Sequence, residues 1–312
     1  MSDLDMLLRE YGDAALPIDR SEVVRGRRRR SRPAVYAGAA LVAAAALVGV
    51  VALTRGVPDR PTRVITNSPA PCGRAVGCPI SAGQFLYFES EFLGGTGKAW
   101  QDPTTGEVHN VNMLSPGHRQ FWIAPDGSGR LVQTYGQPKF ERPADRAEWV
   151  ATGSDPEILK TQPPMNERWG PQKRDDVSQL PTTDPEALRV ALDELYGGTP
   201  SPANDFTHVG DALRETNTTR EVRVALYEFA LTIPGAKPFA DATDHSGRRG
   251  LGVGYTSGGV RHDLIFDSES YALLGDQTMI VGPNNGDWAI GAELGWTVYL
   301  RSGIVDSDTA VP

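Results

Sequence analysis

The sequence is poor in the residues that usually announce a chemistry. It holds two cysteines and five histidines in 312 residues, and His109, His118, His208, His245 and His262 show no H-E-x-x-H or other metal spacing. Surface or turn positions are the default expectation for them. No G-x-S-x-G nucleophile elbow and no P-loop lysine motif occur, so neither an esterase-type nucleophile nor a phosphate cradle is written into the chain. Positive charge is scarce where most of the chain lies. Met1–Arg55 hold nine arginines against six acids, a net of +3, and the total of −8 therefore leaves −8 − 3 = −11 for residues 56–312. A domain so acidic has no electrostatic footprint for nucleic acid. No cofactor is expected, and the chain reads as a non-enzyme.

What is present first is an apolar run. Ala34–Leu53 contains no charged or strongly polar group, and at 1.5 Å per residue it extends about 30 Å, the thickness of a bilayer core. Arg25, Arg27, Arg28, Arg29, Arg30 and Arg32 precede it, whereas Arg55, Arg60 and Arg63 follow, so the N-terminal side is expected in the cytoplasm. The expected partner of this segment is the lipid bilayer. A cleaved secretory signal has a shorter apolar region and a small-x-small site that Leu53-Thr54-Arg55 does not supply. A buried helix of a soluble core is the remaining reading.

The expected organisation is a cytoplasmic Arg-rich tail over 1–33, a transmembrane helix over 34–53 and a Pro-rich spacer over 54–80. An extracytoplasmic domain then covers 81–305, and a disordered C-terminus 306–312. The spacer carries Cys72 and Cys78. On the outside of a membrane a disulfide closing this short loop is the natural state; a C-x5-C redox pair or a metal site is the competing reading.

Along the outer domain the periodicity predicts strands over Gln84–Phe92, Glu107–Leu114, His118–Ala124 and Arg130–Tyr135, the last two joined by an Asp126-Gly127-Ser128-Gly129 turn. Gly136–Leu180 is proline-rich and reads as irregular, apart from a short helix around Ala144–Val150. Helices follow from Asp184-Pro185 to Gly197-Gly198, over Phe206–Glu215 and over Thr219–Thr232, the first and third with an apolar stripe. Period two returns over Gly250–Tyr255, Val260–Phe266, Ser270–Leu274, Gln277–Val281 and Ile290–Ile304. Strands, then helices, then strands indicate an α+β fold with a mainly antiparallel sheet, because parallel strands need a crossover between them. Gly250-Leu251-Gly252-Val253-Gly254 lacks the following helix of a dinucleotide loop and reads as a strand relieved by glycine. Asp244-His245-Ser246 are adjacent on a turn and cannot converge as a triad.

Phe121-Trp122-Ile123-Ala124-Pro125-Asp126-Gly127-Ser128-Gly129-Arg130, Leu180-Pro181-Thr182-Thr183-Asp184-Pro185, Ala225-Leu226-Tyr227, Ile233-Pro234-Gly235, Asp244-His245-Ser246-Gly247-Arg248 and Leu264-Ile265-Phe266-Asp267 follow one another in this order along the chain. With them the chain resembles an uncharacterised family of single-span membrane proteins of high-GC Gram-positive bacteria, over most of residues 34–282. The resemblance implies a membrane anchor and an extracytoplasmic domain associated with envelope-stress or sigma-factor regulation, and it carries no catalytic residues. The strand–helix–strand order is also similar to LolA-like and RseB-like half-barrels, in which a curved antiparallel sheet cups helices. The expected function is an extracytoplasmic binding or sensing module for an apolar or lipid ligand, or for an envelope protein. A hydrolase using Asp244, His245 or His262 and a structural envelope protein are the alternatives.

Overall fold

The computed structural model describes residues 72–101, 108–140, 142–151, 163–174, 176–283 and 288–312, all in one compact unit. The expected tail, span Ala34–Leu53 and spacer up to Pro71 lie outside the described residues. No helix among the described residues is long and apolar enough to cross a membrane.

The fold is α+β. In chain order the elements are β1 (Phe85–Gln101), β2 (Val108–Ile123), β3 (Gly129–Tyr135), α1 (Pro143–Ala151), β4 (Met165–Trp169), a 3-10 turn (Val177–Gln179) and α2 (Pro185–Tyr196). They continue with α3 (Pro202–Leu213), α4 (Arg220–Thr232), β5 (Ala236–Thr243), β6 (Arg249–Ser257), β7 (Val260–Phe266), β8 (Leu273–Ile280) and β9 (Glu293–Val305). The nine described strands make one antiparallel sheet in the order β4-β3-β2-β1-β9-β8-β7-β6-β5. Two meanders, β1 to β4 and β5 to β9, are therefore joined by pairing the first strand with the last. Short turns join β2 to β3, β5 to β6 and β6 to β7. In the β2–β3 turn Gly127 holds φ +79, and Asp126 Oδ1 accepts from the Ser128 backbone N–H and hydroxyl.

Glu107–Leu114 and His118–Ala124 were expected as separate strands but form one, because Pro116 does not break the ladder. Its carbonyl accepts from Gly136 N–H at 2.7 Å. In an antiparallel strand the N and O of a residue point to the same neighbour, and on that side β3 has already ended at Tyr135. Beyond the last β9 and β3 pairings, β1 and β2 continue as a two-stranded ribbon to Gln101↔Val108. Helix α1 covers part of this ribbon, with Trp149 and Met113 buried against Phe140. Two strands escape the sequence reading altogether: β4, inside the stretch read as irregular, and β5, directly after Pro234-Gly235.

Three helices cover one face of the second meander. Asp184, Ser201 and Thr219 cap the N-termini of α2, α3 and α4 with their side chains, and Pro185 and Pro202 fill first-turn positions where no N–H is needed. Their stripes bury Leu188, Leu192, Phe206, Val209, Leu226 and Phe229 against Val253, Leu264 and Phe266 of the sheet. Strand alternation then defines a helix-side face and an opposite face throughout.

The loop from Cys72 to Cys78 belongs to this body and is not spacer. The two cysteines are joined as a disulfide with Cα atoms 5.6 Å apart. Cys78, Val76 and Ile80 pack on Leu86, Phe88 and Phe121 of the first meander and on Ile304 of β9. Asn217, between α3 and α4, accepts from Gly77 N–H at 2.8 Å and donates to the Cys78 carbonyl at 2.9 Å. A Cβ on Gly77 would meet the Thr218 carbonyl at 2.8 Å, and its φ of +95 favours glycine.

The expectation that 306–312 is disordered fails. Trp122 Nε1 donates to the Ala310 carbonyl at 2.7 Å, and Arg130 donates to the Asp308 carbonyl at 3.0 Å. Ala310 packs with Tyr87, Trp122 and Val305 on the opposite face. Buried aromatic rings on the face without helices require a cover, and the chain end supplies it.

Candidate functional site

The histidines and carboxylates singled out in the sequence do not assemble. His262 shares the helix side of β7 with Leu264 and Phe266, and its Nδ1 lies 3.1 Å from Thr278 Oγ1. Asp244 and His245 sit in the β5–β6 turn, and His245 stacks on Trp296 with ring centroids 4.3 Å apart and planes 13° from parallel. Trp296 alternates with Thr297, which pairs with Asp276, itself opposite Leu264. The stack is therefore on the opposite face, and the sheet separates it from His262. Asp244 is committed to its turn: Oδ1 accepts from Ser246 N–H, Ser246 hydroxyl and Arg248 N–H, and Oδ2 from Arg248 Nε. After the opposing effect of burial, these bonds hold its carboxyl below the usual range.

Surface or turn positions also fail for His208. It is buried between α2 and α3, lies with its ring tilted 36° against Tyr196 at 5.5 Å between centroids, and has Asp193 Oδ1 3.5 Å from its Nδ1. His118 pairs across the opposite face with Glu89 at 2.9 Å, while Arg301 and the Tyr87 hydroxyl donate to the same carboxylate. The Arg301 hydrogen bond, more than burial opposes, keeps Glu89 acidic. The side chain of His109 lies outside the described residues. Among the described residues no group of three or more His, Cys, Asp or Glu is placed to hold a metal ion.

What the fold does bring together is a charged seam beneath the C-terminal end of α3, where the two meanders meet. Arg119 of β2, on the same face as Phe121, reaches Glu215 at 3.0 Å. Arg214 bridges Asp211 at 2.7 Å and Asp276 of β8 at 3.3 Å. The Tyr299 hydroxyl of β9 lies 3.5 Å from Asp276. Burial, followed by the charge of Asp276, pushes that phenol well above its ordinary range, so Tyr299 keeps its proton. Burial, followed by the positive charge of Arg214, lowers His262, which favours a neutral ring at the edge of the seam.

Local sequence explains the placement. Gly210 is a poor helix residue, and a Cβ there would strike the Arg214 guanidinium at 2.8 Å, so the glycine clears the path that Arg214 takes back along the helix. Glu215 follows the helix at φ +51, a conformation glycine usually occupies. The strain is retained at a residue whose carboxylate ties the helix layer to β2. No motif marked this site, because its members come from positions 119, 211, 214, 215, 276 and 299. The readable signals were an arginine at an inward-facing strand position and a helix that stops at Arg-Glu instead of glycine.

Fold and site define a class: an α+β protein with a one-sided antiparallel sheet whose helix layer is seated on the sheet through ion pairs. The chain matches no known family model, no curated protein and no solved structure.

Proposed function

We propose that residues 72–312 form the extracytoplasmic binding or sensing module of a protein anchored through Ala34–Leu53, with a half-barrel similar to LolA-like and RseB-like domains. The module holds an apolar ligand or a segment of an envelope partner, and the anchor keeps it at the membrane. The observation that carries this reading is the seam. Partly buried ion pairs are weak contributors to stability, since desolvation offsets most of the Coulombic gain, but in some proteins they select one packing among several. Here they fix how the helix layer sits on the sheet, at the junction of both meanders. An occupant that competes for Arg119 or Arg214 would change that seating, which is what a sensor requires.

Topology and occupancy are tested separately. Protease added to intact cells should digest the folded region of the full chain while the N-terminal tail survives; protection of the whole chain would overturn the orientation. Full-length protein should carry a co-purifying ligand or envelope protein by native mass spectrometry, and Arg119→Ala should release it. A bare wild-type chain, with no captured partner after cross-linking in cells, would sink the binding role.

A further inference from the structure

Between α2 and α3 lies a charged cluster that the fold leaves short of donors. Asp205, in the first turn of α3, has one carboxylate oxygen, Oδ1, shut off from water and without a hydrogen-bond partner among the described residues. Three residues on, His208 is more than nine-tenths buried and its Nδ1 is likewise unpartnered: Asp193 Oδ1 of α2, 3.5 Å away, is in ion-pair range but not in hydrogen-bond geometry. Arg189 cannot relieve either group. Its Nη1 donates to Asp193 Oδ2 at 2.8 Å, and its Nε and Nη2 donate to the two Glu186 oxygens at 3.1 and 2.6 Å.

An ionised Asp205 is therefore a buried acceptor with no donor, held near a second carboxylate, and both features disfavour its charge. The first turn of a helix favours negative charge, but burial and then the charge of Asp193 outweigh it and hold the Asp205 carboxyl above the usual range. Arg189, His208 and Glu186 also act on it, and among the described residues no ion pair from α4 or the sheet reaches Asp205 or His208. These groups are not placed to hold a metal ion; a proton removes the fault. Of the three helices over the second meander, α2 is the one free to respond. It buries two residues, Leu188 and Leu192, where α3 and α4 bury six each. It is joined to α3 through Gly197 and Gly198, at φ +72 and +102, where the chain turns at no steric cost. An element with so few buried groups opens more easily than the whole domain unfolds.

We propose that the α2–α3 junction is a proton-operated latch: with Asp205 neutral, α2 stays seated on α3, and with Asp205 ionised, α2 opens about the Gly197–Gly198 connection and uncovers part of the apolar cluster it shares with α3 and α4. The folded Asp205 binds its proton more tightly than the unfolded chain does, so the contact is complete at low pH and weakens as pH rises past the ordinary aspartate range. Acid acts in the opposite sense at His262, whose lowered pKa sets protonation against the fold. The latch depends neither on the membrane orientation nor on the charged seam.

The test is amide hydrogen exchange of the full-length protein over a pH series rising from about 4, corrected for the intrinsic exchange rate, with α4 as the internal reference. Protection over α2 is expected to fall roughly tenfold relative to α4 as pH rises. Asp205→Asn keeps the shape without the charge, so it should hold α2 at the protected level throughout. Asp193→Asn removes the neighbouring charge and should move the change to lower pH. Protection over α2 that tracks α4 at every pH, or a loss that persists unchanged in Asp205→Asn, would overturn the proposal. So would a midpoint unmoved in Asp193→Asn, a result that can be read even if Asp205→Asn does not fold.

Discussion

Glu215 shows how a single position can serve two opposed demands. Its φ of +51 costs roughly 1 kcal/mol against glycine, and its ion pair with Arg119 at 3.0 Å returns a comparable amount, both side chains being mostly buried. Glu215→Gly should therefore leave stability within about 0.5 kcal/mol of wild type, whereas Glu215→Gln keeps the strain without the charge and should lose about 1 kcal/mol. Urea denaturation of both variants checks this; a Gln variant as stable as wild type would show that the carboxylate contributes nothing. His262 makes a second, pH-dependent demand. Its folded pKa is lowered, by burial first and Arg214 second, so the unfolded chain binds its proton more readily. The stability this group leaves intact above its unfolded pKa, about 6.5, is lost as pH falls toward the folded value. Replacing His262 with Gln should flatten the upper part of the acid limb, measured as the urea midpoint as pH falls below about 6.5.

Among the elements, the C-terminal segment does more than its composition suggests. Ser307–Pro312 is short and polar, yet it provides the acceptor for Trp122 Nε1, packs Ala310 against Tyr87 and Trp122, and brings Asp308 to Arg130 and Arg168. Deleting 307–312 should lower stability by about 1–3 kcal/mol, through one orphaned indole N–H and uncovered aromatic surface. The same deletion should shift tryptophan emission to the red, and an unchanged spectrum would mean the tail is a passenger. Sequence could not show this, because the buried partner is the face of Trp122, some 190 residues away by chain. The same limit explains the missed strands. Met165-Asn166-Glu167-Arg168-Trp169 is an edge strand whose charges face water, and β5 carries Pro238 and a bulge, so neither keeps a period of two. The three helices were legible because Asp184, Ser201 and Thr219 cap locally and the stripes behind them are regular. The charged seam was not, since register across the four strands β2, β1, β9 and β8 decides which arginine meets which carboxylate.

At the scale of the molecule, the pairing of β1 with β9 closes the fold. Phe85↔Val305 through Leu93↔Trp296 brings together strands from opposite ends of the described chain, and the disulfide loop joins the same corner through Ile304 N–H to the Arg74 carbonyl at 2.7 Å. Each meander can form from local hairpins, but without β9 they present β1 and β8 as open edges. Neither of these edges has the protection seen at β5 and β4. Contacts of such sequence separation form late and slowly, because the loop-closure entropy must be met before they contribute. A chain ending before Glu293 should therefore aggregate or be degraded, whereas the chain lacking only 307–312 should stay folded and merely less stable. Limited proteolysis of the two truncations side by side separates them. If the shorter chain gave a soluble, protease-resistant core containing either meander, the β1–β9 ladder would be a convenience of packing and not the step that makes one sheet of two.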